Sequence, residues 1–376
     1  MYGYRDELRN TGLRKEGPIA SPPIRRRSMG RRVHLAQPIH EEALALLREN
    51  AEVSVGFGPE ARELDDALLA EVNALLVRTK RLGAEEIQKA PQLRVIARHG
   101  VGVDNVAVEA ATSRGIPVLI TPRANLRSVA EHVFALALAV SRNLIRADRY
   151  VREGRFAERD SLVGRELFGE TLGVIGLGRI GEEVARMGAA GFGMRVLGYD
   201  PYLGETAMRA KGVEPVSSLD ELLPACDFVS VHVPLVEDTR GLLGARELGL
   251  MRPGSVLVQA ARGGVVDEGA LVEALRDGPL AGAGIDVFGE EPPPADHPLF
   301  SVETAVLSPH TAASTQQAMR RMGLDATRGI LDILGGADAL RPPAGAPWQT
   351  VNPSFADAAQ REGGAAGPSA PNLWLG

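Results

Sequence analysis

Residues 172–187 read LGVIGLGRIGEEVARM, and these positions decide the fold. Positions 172–175 form a short apolar run with the length of a buried strand, and positions 182–187 continue with helical spacing. Between them stand Gly176, Gly178 and Gly181, with Arg179 and Ile180 filling the turn. In a strand, turn and helix setting each glycine has its own task. The first makes the turn, the second lets the backbone approach a pyrophosphate, and the third lets helix and strand pack closely. The free amides and partial positive charge at the helix N-terminus suit the same anion. Asp200 closes the next apolar run, 24 positions after Gly176. A carboxylate there accepts hydrogen bonds from both ribose hydroxyls of NAD and repels the 2′-phosphate of NADP. Pro201 and Tyr202, which follow, bring no arginine to offset that repulsion, so the expected cofactor is NAD.

Outward from this stretch, apolar runs predict strands over 172–175, 195–199, 228–232, 255–259, 282–287 and 304–307, enough for a full dinucleotide-binding sheet. An earlier series predicts strands over 33–36, 53–55, 74–77, 94–97 and 117–120, with a helix over 41–47 after the first of them. Such alternation specifies an α/β protein with two parallel sheets and crossover helices. Ser128 and Glu131 have the spacing of a capping box, which predicts a helix over 130–144 that connects the two series. A further helix is expected over 315–334. Residues 336–376 are rich in Pro, Gly and Ala with little periodicity, and are expected to be a tail without a fold of its own.

Composition agrees with a globular chain: 376 residues, 44% hydrophobic and 24% charged, with length for two to three domains. No apolar run approaches the roughly 18 residues of a membrane span, so no membrane role is expected. Cys226 is the single cysteine, which excludes an internal disulfide and a thiolate metal site and suits a reducing, cytoplasmic setting. No metal site is expected. With a net charge of -6 and arginines spread along the chain, no general nucleic-acid surface is implied. Arg25, Arg26, Arg27, Arg31 and Arg32 cluster locally, but residues 1–30 carry no core pattern and are expected to be a disordered extension. A start at Met29 would remove nearly all of it.

Chemistry at a nicotinamide needs an acid/base for the substrate oxygen and a fixed cation for a carboxylate. Open α/β sheets bind ligands at the carboxyl ends of their strands. Arg262, Glu291 and His310 follow the last three predicted strands, in AARGGVVDE, DVFGEEPP and SPHTAAS. By residue chemistry alone His99 and His232, also at strand ends, compete with His310. Asp267 reads as the cap of a helix starting near Glu268.

Taken in order, GLGRIG with Asp200, HVPLVEDTR from His232, AARGGVVDE, GIDVFGEEPP, DHPLF and SPHTAAS resemble the D-isomer-specific 2-hydroxyacid dehydrogenases. RHGVGVDNV from Arg98 and TPRANLRSVAEH from Thr121 are similar to the phosphoglycerate dehydrogenase branch, with Arg123 where that branch usually has glycine. The resemblance spans residues 33–335. It implies a Rossmann NAD-binding domain (126–309) inserted in a flavodoxin-like substrate domain (31–125, with a return helix in 310–335). It also implies site roles. Arg262 binds the substrate carboxylate and carbonyl oxygen, His310 exchanges the proton, and Glu291 pairs with His310, favouring the imidazolium and holding its tautomer. Val233, Pro234 and Ala261 join Gly176, Gly178, Arg179, Ile180, Gly181 and Asp200 around the cofactor, and Asp286 contacts the nicotinamide amide. The amides of Gly100, Val101 and Gly102 hold the substrate carboxylate, with Asn125 and Arg78 on the same side. The implied partner is a small 2-hydroxy or 2-oxo acid. 3-Phosphoglycerate is favoured, glyoxylate and hydroxypyruvate are alternatives, and a homodimer is implied. Glu291 disfavours the related formate dehydrogenases, which resemble a glutamine site at that position. A rival from another class is an NAD-sensing transcriptional corepressor, which shares this fold and triad.

Overall fold

Short apolar strands, most of them followed by a helix, give two separate sheets in the computed structural model, which describes residues 30–356. The first half contains β1 (Arg32–Leu35), α1 (Glu41–Asn50), β2 (Glu52–Val55), α2 (Asp66–Glu71), β3 (Ala74–Val77), α3 (Ala84–Gln88), β4 (Val95–Arg98), α4 (Val108–Ser113) and β5 (Val118–Ile120). Next come α5 (Leu126–Ser141), α6 (Leu144–Arg152), β6 (Thr171–Ile175), α7 (Arg179–Phe192), β7 (Arg195–Tyr199), α8 (Glu205–Ala210), β8 (Glu214–Pro215), α9 (Leu219–Ala225) and β9 (Phe228–Val231). The chain continues through α10 (Ala245–Leu250), β10 (Ser255–Gln259), α11 (Glu268–Arg276), β11 (Leu280–Ile285), β12 (Ala305–Leu307), α12 (Gln316–Leu334) and β13 (Gln349–Thr350).

The larger sheet has the order β12-β11-β10-β9-β6-β7-β8, all parallel. Its chain order reverses between β6 and β9, which is the doubly wound arrangement with its switch point beside the GLGRIG turn. β9 and β10 are buried along their whole length, as strands covered on both faces must be. One face packs Ile175, Leu222, Val229 and Leu271 with α9, α10 and α11; the other packs Phe134, Val174, Val184 and Val256 with α5 and α7. The smaller sheet runs β13-β5-β4-β3-β1-β2, parallel except for β13. Apart from β13 this is the flavodoxin-like order. α12 packs against α1 and β4, so the chain returns to the first sheet after completing the second.

Three expectations change. Ser128 and Glu131 form no capping box: α5 starts nearly a turn earlier, behind Asn125, which leaves Ser128 inside the helix bonded to Thr315 Oγ1 at 2.8 Å. Glu131 turns instead to Arg127, 3.5 Å away. The helix also stops sooner, because Asn143 adopts a left-handed φ of 50° and α6 leaves at 59° to α5. Part of the expected tail is built into the fold. Trp348 is 2% exposed and packs with the first core, where its Nε1 donates to Asp332 at 2.8 Å. β13 pairs with β5 through Gln349↔Ile120 and Thr350↔Leu119. Asn352, also buried, accepts from the Val118 amide at 2.7 Å and donates to the Ile116 carbonyl at 2.9 Å. Residues 1–29, including the basic cluster up to Arg27 and the start at Met29, lie outside the described residues, as do residues 357–376.

Candidate active site

β10, β11 and β12 are neighbours, and the loops at their carboxyl ends carry Arg262, Glu291 and His310. His310 Nδ1 lies 2.7 Å from Glu291 Oε2. With a proton on Nδ1 donated to the carboxylate, Nε2 is the ring atom left for exchange with a ligand. His310 has a φ of 52°, unusual for a residue with a Cβ, and its amide donates to the Asp286 carbonyl at 2.7 Å. Burial pushes the Glu291 carboxyl up, but hydrogen bonds from His310 and the Phe288 amide, with the charges of His310 and Arg262, hold it below the usual range. It therefore faces the histidine as a carboxylate.

Asp286 is fully buried. Its Oδ1 accepts from Ser308 Oγ at 2.6 Å and the Thr311 amide at 2.9 Å and lies 3.3 Å from His132 Nε2; its Oδ2 accepts from the Ala312 amide at 2.9 Å. The carboxylate is enclosed and committed to the loop that holds His310.

Arg262 crosses to the other half of the chain. Its Nε donates to Asp104 at 2.9 Å and its Nη1 to the Ala261 carbonyl at 2.7 Å, while a Cβ on Gly102 would fall 1.7 Å from Nη2. The guanidinium thus lies directly on the 100–104 loop. Of the three amides expected to hold a carboxylate there, that of Gly100 already donates to the Arg98 carbonyl at 3.0 Å. Among the described residues those of Val101 and Gly102 have no partner and are free for a ligand. Asn125 is buried with its Oδ1 unpaired, an acceptor without a protein donor.

The sequence reading misses Arg98, at the end of β4. It is largely buried, with Nε donating to Asn105 at 3.1 Å. Burial, then the charge of Arg262 and, more weakly, that of Arg78, push its guanidinium down to about 10. Arg98 and Arg262 therefore both lie against the loop, and the charges of Arg78 and Asp104 also act on Arg98. The signal that finds Arg262, a cation at the carboxyl end of a strand, applies equally to Arg98. The competing histidines are used elsewhere: His99 is 2% exposed and its Nε2 faces the Met319 carbonyl at 3.3 Å, while His232 Nε2 meets Ser230 Oγ at 2.7 Å.

On the cofactor side, Gly176 has a φ of 86°, and a Cβ on Gly181 would meet the Gly176 carbonyl oxygen at 2.0 Å. Gly178 begins α7 with no side chain capping the helix, and nothing lies within 4 Å of where its Cβ would be. The first turn of α7 thus presents uncapped amides to open space, the cradle a pyrophosphate requires. Asp200 follows β7, with Oδ2 accepting from the Leu177 amide at 2.9 Å and Oδ1 from the Tyr202 amide at 3.0 Å. Each oxygen keeps a lone pair for a ribose hydroxyl. Ile180 is partly buried in the same turn, Val233 and Pro234 follow β9, and Ala261 follows β10. The Arg179 side chain reaches across to Gln349 Oε1, 3.2 Å away on β13. Among the described residues no group of three or more His, Cys, Asp or Glu side chains is arranged to hold a metal.

Residues 134–312 match the family model for the D-isomer specific 2-hydroxyacid dehydrogenase NAD binding domain. A hydroxypyruvate reductase of Thermotoga maritima is 40% identical over 309 residues, covering 81% of this chain and 98% of that protein. The chain belongs to the D-isomer specific 2-hydroxyacid dehydrogenase family. Within it, a D-3-phosphoglycerate dehydrogenase of Methanocaldococcus jannaschii is 41% identical over 306 residues, covering 81% of this chain. The chain spans only 58% of the length of that relative. The TT0316 protein of Thermus thermophilus has a similar structure, with a TM-score of 0.72, 38% identity, and coverage of 82% of this chain and 98% of that one. The second sheet and its helices are therefore the family's NAD-binding domain.

Proposed function

We propose that this protein is an oxidoreductase that transfers hydride reversibly between NAD(H) and a small D-2-hydroxy or 2-oxo acid. The observation that carries the reading is the His310–Glu291 pair at 2.7 Å, on neighbouring strand ends with Arg262 and on the same sheet edge as the GLGRIG turn. When bound, NAD supplies the ring that accepts or gives the hydride. Arg262 and the free amides of Val101 and Gly102 bind the substrate carboxylate, and Arg262 also polarises the carbonyl. Substrate displaces Asp104 from part of the guanidinium. His310 gives a proton from Nε2 to the 2-oxygen during reduction and takes it back during oxidation, while Glu291 holds the ring orientation. Asp286, with Ser308 and the 311–312 amides, holds the His310 loop.

The cluster of Arg78, Arg98 and Arg262 favours an acid with a second anionic group, and 3-phosphoglycerate fits that demand better than glyoxylate or hydroxypyruvate. The relatives described above are named for dehydrogenation and reduction and lend no support to a corepressor. A homodimer is supported by a run of exposed apolar side chains along α6 and the segment before β6: Leu144, Ile145, Val151, Phe156, Val163 and Phe168. Cys226 is buried, its thiol pushed up to about 12 by burial, and such an unreactive lone thiol suits the cytoplasm. No single described helix is long and apolar enough to cross a membrane; α5 and α6 pass together only as a bent pair, and α5 is largely buried.

The test is NADH oxidation with a panel containing the 2-oxo counterpart of 3-phosphoglycerate, hydroxypyruvate, glyoxylate and pyruvate. Turnover is expected, with the highest kcat/KM for the phosphorylated acid. NADH binding without turnover of any member would overturn the reading.

A further inference from the structure

Glu268 is the first residue of α11 and sits six positions after Arg262. Its Oε1 accepts from the Gly289 amide at 2.6 Å, and its Oε2 lies 3.0 Å from His297 Nε2. The His297 ring has one tautomer that satisfies both of its contacts. Nδ1 accepts from the Leu299 amide at 3.3 Å, so the proton is on Nε2 and is donated to Glu268. The histidine is 9% exposed, with its ring centroid 5.6 Å from that of Phe288 and 5.5 Å from that of Phe300. Two residues past Gly289 is Glu291, whose Oε1 accepts from the Phe288 amide at 3.1 Å while Oε2 meets His310. The loops after β10 and β11 also touch through their backbones. A Cβ on Gly263, next to Arg262, would fall 1.8 Å from the Phe288 carbonyl oxygen.

We propose that Glu268 is a positioning residue that fastens the loop carrying Glu291 to the loop carrying Arg262, through the Gly289 amide and the buried ring of His297. The proposal rests on the reading of His310 as the acid/base. Two donors converge on Glu268 from one loop, and a carboxylate has an oxygen for each. A glutamine of the same shape has one acceptor, so either the exposed Gly289 amide or the buried His297 Nε2–H loses its partner or faces an NH2 group. The 288–298 loop must then shift, and Glu291 moves with it. The charged groups around the His310–Glu291 pair are Arg262 from the β10 loop and, beneath the His310 loop, Asp286 with His132. Asp104 is bonded to Arg262, Asp267 is turned to the Ala270 amide, and Glu268 faces His297 and the Gly289 amide. None of these takes the place of Glu291 at Nδ1.

The experiment uses the full chain without substrate, so that it is independent of turnover. The ring signal of His310, identified by its loss in His310→Gln, is titrated by NMR in the parent, in Glu291→Gln, in Glu268→Gln and in the double variant. Glu268→Gln is expected to move the His310 midpoint to lower pH, as Glu291→Gln does, and the double variant should titrate with Glu291→Gln alone. NADH affinity should change less than twofold. A parent-like midpoint in Glu268→Gln, beside a shifted one in Glu291→Gln, would overturn the proposal even if Tm fell. An unmoved midpoint in Glu291→Gln would instead overturn the acid/base reading beneath it. If Glu268→Gln does not fold, His297→Phe keeps a ring in the aromatic cluster and removes the donor, and the same comparison decides.

Discussion

Asp200 meets its surroundings through both oxygens, each anchored by one backbone amide of the turns it joins, Leu177 on one side and Tyr202 on the other. The carboxylate is therefore held in place after β7, as the proposed ribose contact requires. Asp200→Ala removes two charge-assisted acceptors and the negative charge that opposes a 2′-phosphate, terms of about 1.5–3 kcal/mol each. The NAD to NADP ratio of kcat/KM should fall at least tenfold, and an unchanged ratio would contradict the assignment. Arg262, Glu291 and His310 are legible from sequence because each is a chemically capable side chain just past an apolar run. Arg98 obeys the same rule but is hidden, since an arginine ending a short strand reads as an edge charge until the fold brings Arg78 and Arg262 beside it. The enclosure of Asp286 is equally invisible. Its partners at Ser308, Thr311 and Ala312 lie more than twenty residues on, and His132 comes from α5.

Among elements, the strands of both sheets are readable because buried parallel strands are nearly continuous apolar runs. The exceptions are β8 and β13, of two residues each, which have no room for a pattern. β13 exists because β5 offers an open edge and Trp348 anchors the segment in the first core; Pro and Gly on either side give the sequence the look of a tail. The false capping box has a similar origin, since Ser128 and Glu131 have the right spacing but the helix is entered from Asn125. Trp348→Ala should cost about 3–5 kcal/mol of stability, the usual loss for a buried aromatic side chain. Urea unfolding checks this, and a loss below 1 kcal/mol would show that the segment is only laid on the surface.

For the molecule as a whole, burial of titratable rings makes the fold sensitive to mild acid. His34 is pushed down to about 4 by burial, then by Lys80 and Arg62; His99 is pushed down to about 4 by burial, then by Arg78 and Arg98. A depressed histidine is neutral in the fold while the unfolded chain protonates near 6.5, so its contribution is complete above 6.5 and lost as the pH falls towards 4. Each costs about 2 kcal/mol at pH 5. Asp325 acts in the opposite sense: burial, against Arg328 and Arg321, pushes it up to about 6, and its protonation returns about 1 kcal/mol at pH 5. His232, pushed down to about 3 by burial, costs about 2 kcal/mol more in the same sense, so unfolding free energy should drop by about 5 kcal/mol between pH 7.5 and 5, and a flat profile would contradict this burial pattern.

At the same scale, the two halves of the chain meet where Arg262 bonds Asp104, so the proposed catalysis draws on groups from both of them. The most direct measurement is the pH dependence of kcat/KM in both directions, for the parent and for Glu291→Gln. Reduction needs His310 protonated and oxidation needs it neutral, so the parent should reduce best at low pH and oxidise best at high pH. Glu291→Gln removes the carboxylate held 2.7 Å from Nδ1. Reduction should then fail at lower pH than in the parent, and oxidation should extend to lower pH by the same interval. Profiles for the two proteins that superimpose in both directions would contradict the acid/base pair.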